Sequence, residues 1–263
     1  MLLRVLYRLM QNLGHKGRKM KLVFQKLTLT SFDPGNEHFQ EIRSQIEEID
    51  LSNNNITDCP VFASVSKWQL LTRLDLSRNN LKTVDKTVFM LPVINELKLG
   101  GNKLHKLPVL DLDKEKYSPT LMVLYLENNK LTSLPSSLSR SSIKSLYLQG
   151  NQFESVPSFL CNMDWLTYLN LSHNPKILEL PVEFGKLNPK ITLDVKEGMS
   201  VIALFLFSII YYIGNFTSFL KCIMHLVSFD KHCCPLKKLL QKKSFTISVK
   251  NIFSFLRYKP LKF

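Results

Sequence analysis

Three tyrosines in the middle of the chain stand at related positions. Tyr125 and Tyr147 each lie between two leucines and are 22 residues apart, and Tyr168 lies just before the next pair of leucines. Tyrosine offers a large apolar ring and one hydroxyl, which suits a binding surface better than bond-breaking chemistry. The alternative is that tyrosine is present only because it favours exposed strands.

Polar residues at equivalent positions extend this candidate surface. The predicted partner-binding residues are Tyr125, Tyr147, Tyr168, Lys98, Glu127, Gln149, Asn170 and His173. Asp50 and Asp75 occupy the same place between two aliphatic residues as Lys98 does. We predict that this surface binds a protein or a peptide.

Residues suited to catalysis or metal binding do not form a recognisable pattern. The sequence contains neither H-E-x-x-H nor G-x-S-x-G. One segment, CIMHLVSFDKHCC at 222–234, gathers zinc-ligand types in Cys222, His225, His232, Cys233 and Cys234. Its spacing matches no zinc finger. We therefore predict a protein that is not an enzyme and that holds no metal or cofactor.

A repeated frame positions these residues. Six segments share it: IEEIDLSNNNI (46–56), LTRLDLSRNNL (71–81), INELKLGGNKL (94–104), LMVLYLENNKL (121–131), IKSLYLQGNQF (143–153) and LTYLNLSHNPK (166–176). Each carries an asparagine at the same position of the frame: Asn54, Asn79, Asn102, Asn129, Asn151 and Asn174. Successive asparagines are 25, 23, 27, 22 and 23 residues apart. The pattern L-x-x-L-x-L-x-x-N at this period is typical of leucine-rich repeats.

The chemistry of the frame predicts its fold. In each L-x-L the two aliphatic side chains point inward and the residue between them points outward, as in a strand. One repeat cannot hide its apolar face, but stacked repeats bury a continuous core. We predict an α/β leucine-rich-repeat solenoid, a curved horseshoe with a parallel sheet on its concave face. The asparagines are predicted to be structural, since their amides satisfy backbone groups where the chain leaves each strand.

The repeats are predicted to occupy residues 24–198. Upstream, FQKLTLTSF (24–32) fits as a capping repeat with Phe32 at the asparagine position, and downstream KITLDVKEG (190–198) offers a last strand around Leu193. The insert DLDKEKYSPT (111–120) is predicted to be a solvated loop. Residues 1–23 are predicted to form a basic amphipathic segment.

The closing part of the array resembles that of the Roco family, which includes the leucine-rich repeat kinases. The resemblance lies in LSHNPKILELPVEFGKL (171–187), where one extra residue follows Asn174 before the apolar position. It implies a recognition segment that precedes a GTPase domain. This chain contains no G-x-x-x-x-G-K-[ST] loop and no kinase signature, so the resemblance implies no catalytic activity for it.

Residues 199–263 differ from the repeats. They carry ten Lys or Arg and one acid, and residues 201–220 form an apolar run long enough to cross a membrane. Three interpretations stand: a membrane anchor, translated non-coding or divergent sequence, and a helical cap. The five unclustered cysteines favour a reducing compartment, so a cytoplasmic protein is predicted, with a single-pass membrane protein as the alternative. The middle of the chain is slightly acidic, which argues against nucleic acid as a partner.

Overall fold

Short parallel strands joined by longer return segments build the fold. The computed structural model describes residues 19–36, 39, 42–111, 113, 115–177 and 191–195. Within these ranges eight strands form one open parallel sheet in chain order: β1 (Met20–Val23), β2 (Ile46–Asp50), β3 (Arg73–Asp75), β4 (Glu96–Lys98), β5 (Val123–Tyr125), β6 (Ser145–Tyr147), β7 (Tyr168–Asn170) and β8 (Thr192–Asp194). This architecture confirms the predicted leucine-rich-repeat solenoid.

The return segments carry short 3₁₀ helices. Five are present in the described ranges: η1 (Arg43–Gln45), η2 (Val65–Lys67), η3 (Lys86–Phe89), η4 (Ser136–Arg140) and η5 (Ser158–Asn162). Pro135 and Pro157 come immediately before η4 and η5, with φ of −68° and −59°. Proline already favours this φ and has no N–H to donate, so it starts a helix on this side of the repeat without leaving a sheet donor unpaired.

Strand register follows the alternation of apolar and polar residues. The central residues of β2 to β8 are aligned across the sheet: Ile49, Leu74, Leu97, Leu124, Leu146, Leu169 and Leu193. From Ile49 to Leu169 they are at most 1% exposed. A shift of one residue would turn charged side chains into the core, so this register is strongly specified.

The core runs without a break through the stacked repeats. Leucines that follow the strands and aliphatic residues of the return segments are fully buried, as at Leu99, Leu126 and Leu131. Aromatic rings fill the wider return side, where Phe62 meets Trp68 edge-on with ring centroids 5.1 Å apart. Each fully buried aliphatic side chain contributes about 1.5–3 kcal/mol, and in a solenoid most of that burial is against the adjacent repeats.

The insert at 111–120 is only partly solvated, which corrects the prediction. Tyr117 is 7% exposed and Ser118 is 2% exposed. The hydroxyls of Tyr117 and Ser137 are 3.0 Å apart, and the ring meets Phe89 edge-on at 6.2 Å. The end of the insert therefore packs against the core of this longest repeat through Tyr117 and Ser118.

A line of buried asparagines links the repeats. Asn79 donates through Nδ2 to the carbonyl of Leu51 in the preceding repeat (2.9 Å) and to that of Leu76 in its own (3.1 Å). Its Oδ1 accepts from the N–H of Ile56 at 3.0 Å. Asn54, Asn102, Asn129, Asn151 and Asn174 repeat this arrangement and are 1–7% exposed. Each amide thus joins the turn of its own repeat to the strand end of the one before.

The first repeat begins earlier than predicted. Leu22 in β1 pairs with Ile49, so Leu27, five residues on, stands where Asn54 stands in the next repeat. The sequence frame that put the boundary at residue 24 and Phe32 at the asparagine position is wrong, because no asparagine marks this repeat. Phe32 is instead a buried core residue that packs between Phe24 (6.1 Å) and Phe39 (5.3 Å). These three rings fill the N-terminal part of the core.

At the other end, β8 confirms the last predicted strand. Several predictions fall outside the described residues: residues 1–18 of the amphipathic segment predicted for 1–23, the closing block from residue 178, and the whole of 199–263 with its apolar run and its cysteine and histidine cluster. The last residues of the predicted amphipathic segment form β1 instead. Among the residues that are described, no helix has the length and apolarity needed to cross a membrane.

Replacing Asn129 by Ala tests the asparagine line. The change removes donors to the carbonyls of Leu99 and Leu126 (both 3.0 Å) and the acceptor for the N–H of Leu104 (3.0 Å), all in the buried interior. We expect the free energy of unfolding, measured in urea, to fall by about 2–3 kcal/mol. The matched control is Asn55→Ala, whose exposed side chain predicts a change within about 0.5 kcal/mol. Equal effects of the two changes would contradict a structural role for the line.

Candidate functional site

The outward-pointing side chains of the strands form one surface, here called the sheet face. Each strand contributes the two residues that flank its buried central residue. Strands β2 to β4 contribute charged residues, called the charged half: Glu48, Asp50, Arg73, Asp75, Glu96 and Lys98. Strands β5 to β7 contribute aromatic rings. The sheet face is therefore chemically divided along the array.

Tyr125, Tyr147 and Tyr168 form a continuous group of rings, here called the tyrosine stack. Tyr125 and Tyr147 are directly aligned on neighbouring strands, and their rings are parallel within 13° with centroids 4.4 Å apart. Tyr168 lies on the next strand, two residues before the residue aligned with Tyr147, and its ring tilts by 41° against that of Tyr147 with centroids 4.9 Å apart. Adjacent strands are about 4.8 Å apart, so strand spacing alone brings aligned aromatic side chains into contact.

The hydroxyls of Tyr125 and Tyr168 remain protonated at physiological pH. Burial, and then the neighbouring Tyr147, raises the pKa of Tyr125 to about 12. Burial likewise raises the pKa of Tyr168. Burial disfavours the charged phenolate, so these groups stay neutral and able to donate a hydrogen bond. The stack therefore presents half-buried apolar rings with polar hydroxyls.

Ion pairs order the charged half. Arg73 lies 3.3 Å from Glu96, and Lys98 lies 3.3 Å from Glu96 and 3.7 Å from Asp75. Burial lowers the pKa of Lys98, but Glu96 and Asp75 outweigh that effect and raise it. The Lys98 ammonium also lies 5.7 Å from the centre of the Tyr125 ring, within the range of a cation–π contact. Lys98 thus connects the charged half to the tyrosine stack.

Glu127 lies beside the stack in a space left by a glycine. A Cβ on Gly100 would stand 2.0 Å from Glu127 Oε1 and 2.3 Å from its Cδ, so any larger residue there would displace the carboxylate. Oε2 of Glu127 is buried and has no hydrogen-bond partner among the described residues. Burial raises the pKa of Glu127, although a hydrogen bond from its own backbone N–H and the charges of Lys98 and Arg78 act in the opposite direction. On the neighbouring repeat, Oε1 of Gln149 is likewise buried and unpartnered within the described part of the chain.

The structure brings most of the predicted binding residues together. Lys98, the tyrosine stack, Glu127 and Gln149 lie on adjoining strands or directly after them. Asn170 is aligned with Tyr147 but is only 9% exposed, and its Oδ1 accepts from the N–H (3.0 Å) and hydroxyl (2.7 Å) of Ser172. Its side chain therefore orders its own turn.

His173 belongs to the turn that follows the strand. It is exposed, with φ of +55°, and its Nδ1 lies 3.2 Å from the Ser172 hydroxyl. The residue before the buried asparagine has positive φ in each of the six repeats that carry one: Asn53, Arg78, Gly101, Asn128, Gly150 and His173. This position is a left-handed turn, one residue beyond the position of Glu127 and Gln149.

Sequence reasoning missed the residues of the charged half that come first in each strand. Glu48, Arg73 and Glu96 lie on the sheet face two residues before Asp50, Asp75 and Lys98. The alternation of inward and outward side chains along a strand predicts this placement, because residues two apart lie on the same face of the sheet. The role of Gly100 was also missed, since it depends on which side chain fills the space beside it.

Metal-ligand side chains do not cluster in the described residues. No three His, Cys, Asp or Glu side chains there are placed to hold a metal ion. Burial raises the pKa of Cys59 to about 12, and a thiol that stays protonated is a poor nucleophile. Cys59 is a free thiol.

Comparison with known proteins agrees with the fold. The sequence profile of the family described as Leucine rich repeat matches residues 44–104 and 119–175, and a second Leucine Rich Repeat profile matches residues 165–187. A leucine-rich-repeat protein of Leptospira interrogans has a similar structure, with a TM-score of 0.56 and 22% identity over 68% of this chain and 49% of that one. These matches and the eight-stranded parallel sheet show that the fold is a leucine-rich-repeat solenoid.

Two further similarities are more distant. The probable serine/threonine-protein kinase pats1 of Dictyostelium discoideum is 29% identical over 158 residues, which cover 54% of this chain. The chain spans only 5% of the length of that relative. An internalin from Listeria monocytogenes has a TM-score of 0.46 with 22% identity over 60% of this chain and 44% of its own.

Replacing Glu127 by Gln tests the burial of the carboxylate. Because the pKa of Glu127 is raised on folding, the folded protein keeps a proton that the unfolded chain releases near its ordinary pKa of about 4.3. Glu127 therefore contributes to the free energy of unfolding of the natural protein. This contribution decreases as the pH rises from the ordinary pKa of glutamate through the raised pKa of Glu127. We expect the stability of E127Q relative to the natural protein to increase over this pH window in urea titrations.

Glu154→Gln is the matched control for that titration. Its hydrogen bond and ion pair with Lys176, at 2.9 Å, lower the pKa of the exposed Glu154. The relative stability of E154Q should therefore stay level or decrease as pH rises. A level or decreasing curve for E127Q as well would contradict the buried carboxylate.

Proposed function

We propose that this repeat array is a non-enzymatic interaction module whose sheet face binds a protein or a peptide. The observation that carries the proposal is the tyrosine stack, three touching rings held on the exposed side of a rigid sheet. Tyrosine is enriched among the residues that dominate binding energy, because it brings apolar area, a polar group and few rotatable bonds.

The fold prepares this surface before any partner arrives. The backbone of every strand is fixed by its neighbours, and the rings are already in contact, so binding orders few side chains. Pre-organisation of this kind raises affinity because less conformational entropy is lost on association. Residues Lys98, Glu127 and Gln149 surround the stack and supply polar contacts at its edge.

The free thiol of Cys59 supports a cytoplasmic location. The slightly acidic composition of the middle of the chain supports a protein partner over nucleic acid. A membrane-anchored recognition protein, held through residues 201–220, is the alternative location. Glycosylation of the exposed Asn55, which begins an N-x-[ST] triplet, would distinguish the two, since it requires passage through the secretory pathway.

A second candidate function is the recognition segment of a Roco-type signalling enzyme. The similarity to a protein named as a probable kinase, of which this chain matches 5%, supports it. Sequencing of the transcript across the codon for Met199 tests this candidate. A spliced message that continues into a G-x-x-x-x-G-K-[ST] loop supports it, and one that reads through to Phe263 rejects it.

Site-specific photocrosslinking tests the interaction module. A benzophenone amino acid at position 147, in the full chain added to a lysate of cells that make the protein, should give a protein adduct of discrete mass. The same group at position 109 should not give that adduct, because Val109 lies on a return segment and is 73% exposed there. A second change, Tyr125→Ser, should remove the adduct formed from position 147.

Two results would reject binding at the sheet face. One is the same set of adducts from positions 147 and 109, which indicates nonspecific contact. The other is the absence of any discrete adduct from position 147. Circular dichroism of each labelled protein verifies that the strands are intact before the comparison is made.

A further inference from the structure

We propose that the turns after strands β3 to β5 form a second binding surface, which docks on an anionic lipid bilayer. This surface lies outside the sheet face, so the function it adds is separate from that of the interaction module. Three observations support it: the alignment of the turns, the absence of carboxylates within them, and the kind of side chain that adjoins them.

Three equivalent segments make up this surface, here called the basic flank: residues 78–84, 101–107 and 128–134. Their backbones lie side by side, because the N–H of Lys103 donates to the carbonyl of Leu81 and the N–H of Lys130 donates to that of Leu104, both at 2.9 Å. The leucines are buried, and the residues on either side of them are exposed or half-buried. Equivalent side chains therefore project outward from adjacent turns that are about 4.8 Å apart.

The basic flank carries cations and no carboxylate within its three segments. Its exposed basic side chains are Lys82, Lys103, Lys106 and Lys130, with His105 among them. In the described part of the chain, no carboxylate lies within ion-pair distance of these four lysines. Like charges at this spacing repel one another, and an anion placed against them relieves the repulsion.

The carboxylates that adjoin the segments in sequence have other neighbours. Glu127 directly precedes the third segment, and the charges of Arg78 and Lys98 act on its half-buried carboxylate. Asp85 directly follows the first segment, and its Oδ1 accepts from the N–H of Thr87 at 2.8 Å. Arg78 is therefore offset by Glu127, and the four lysines remain as the charge of the flank.

Charge is separated between this surface and the sheet face. The turn after β2 carries Asp58, and Glu154 in the turn after β6 pairs with Lys176 at 2.9 Å. The charged half, in contrast, holds four carboxylates and two cations. A polyanion is therefore attracted to the basic flank and repelled by the neighbouring part of the sheet face.

A bilayer fits the basic flank better than a nucleic acid does. Val109, three residues after Lys106, is 73% exposed, and Val61, at the same position of an earlier repeat, is 51% exposed. Exposed aliphatic side chains beside lysines are typical of proteins that bind the bilayer interface. The three segments contain no Phe, Tyr or Trp on which the bases of a nucleic acid would stack.

The ends of the chain favour a bilayer over a short acidic peptide. Residues 1–18 carry four Lys or Arg and no acid, and residues 199–263 carry ten and one acid. An extended anionic surface attracts these charges together with the basic flank, whereas a short peptide covers only a few turns. Anionic lipids attract clusters of basic residues in this way.

Vesicle binding tests the proposal. The full chain is titrated with vesicles of equal parts phosphatidylserine and phosphatidylcholine, and binding should weaken as salt is added. A lysine near an anionic surface contributes roughly fivefold in affinity, so the combined replacement of Lys82, Lys103, Lys106 and Lys130 by Gln should weaken binding at least about tenfold. Binding to vesicles of phosphatidylcholine alone should not change.

The matched control replaces four exposed cations outside the basic flank by Gln: Lys67, Lys116, Arg140 and Lys144. It has the same net charge as the flank variant and should lose less than about twofold, because salt screens distant charges. Equal losses in the two variants, or no loss in the flank variant, would overturn the proposal.

Two further variants separate charge from folding and from the sheet face. Arginine in place of all four flank lysines keeps the charge and should preserve binding, and weak binding by this variant would also reject the proposal. Tyr147→Ser should leave vesicle binding unchanged, so the interaction module and the bilayer contact can fail independently. Circular dichroism verifies the fold of each variant.

A fluorescent reporter locates the contact. Dansylalanine in place of His105 should shift its emission to the blue when phosphatidylserine vesicles are added, and the same group in place of Lys67 should not. Equal shifts at the two positions would contradict docking through the basic flank. Capture of polyglutamate or an RNA oligomer through the four lysines, with no shift on vesicles, would assign the flank to another class of partner and overturn the proposal.

Discussion

The hydrogen bonds of the buried asparagines hold this structure together across its repeats. Each amide is bonded at the same time to a carbonyl at the end of its own strand and to carbonyl and N–H groups of the preceding repeat, as at Asn129 with Leu126, Leu99 and Leu104. The turn after a strand would otherwise bury unpaired backbone groups, which is costly. The amide satisfies them with one side chain and fixes the distance between neighbouring turns.

The sheet face depends on that constraint. Because each turn is tied to the one before, consecutive strands cannot slip, and residues at the same position in the repeat are aligned at strand spacing. The parallel rings of Tyr125 and Tyr147, 4.4 Å apart, are a direct consequence. So are the ion pairs of Asp75 with Lys98 and of Arg73 with Glu96, which connect β3 and β4. Surface chemistry in this protein is therefore set by a buried network that never contacts the surface itself.

The sequence predicts those parts of the molecule that repeat. Leucine and asparagine spacing yields the solenoid and the alignment of the tyrosines, because these depend only on position within the frame. It fails where a repeat lacks its markers, as in the first one, where Leu27 replaces the asparagine and the frame was placed too late. It fails also where a contact depends on the volume of a neighbour, as with Glu127 over Gly100 or the burial of Tyr117 in a charged insert.

The left-handed turn before each buried asparagine affects the stability of the whole array. Gly101 and Gly150 adopt positive φ without steric penalty, but Asn53, Arg78, Asn128 and His173 hold a Cβ there. A left-handed conformation costs a residue with a side chain roughly 1–2 kcal/mol, with asparagine at the low end. Four repeats thus carry backbone strain that burial and the asparagine network must offset. The array is therefore less stable than its architecture allows. Substitution of Arg78 or His173 by glycine would remove this strain and increase its stability.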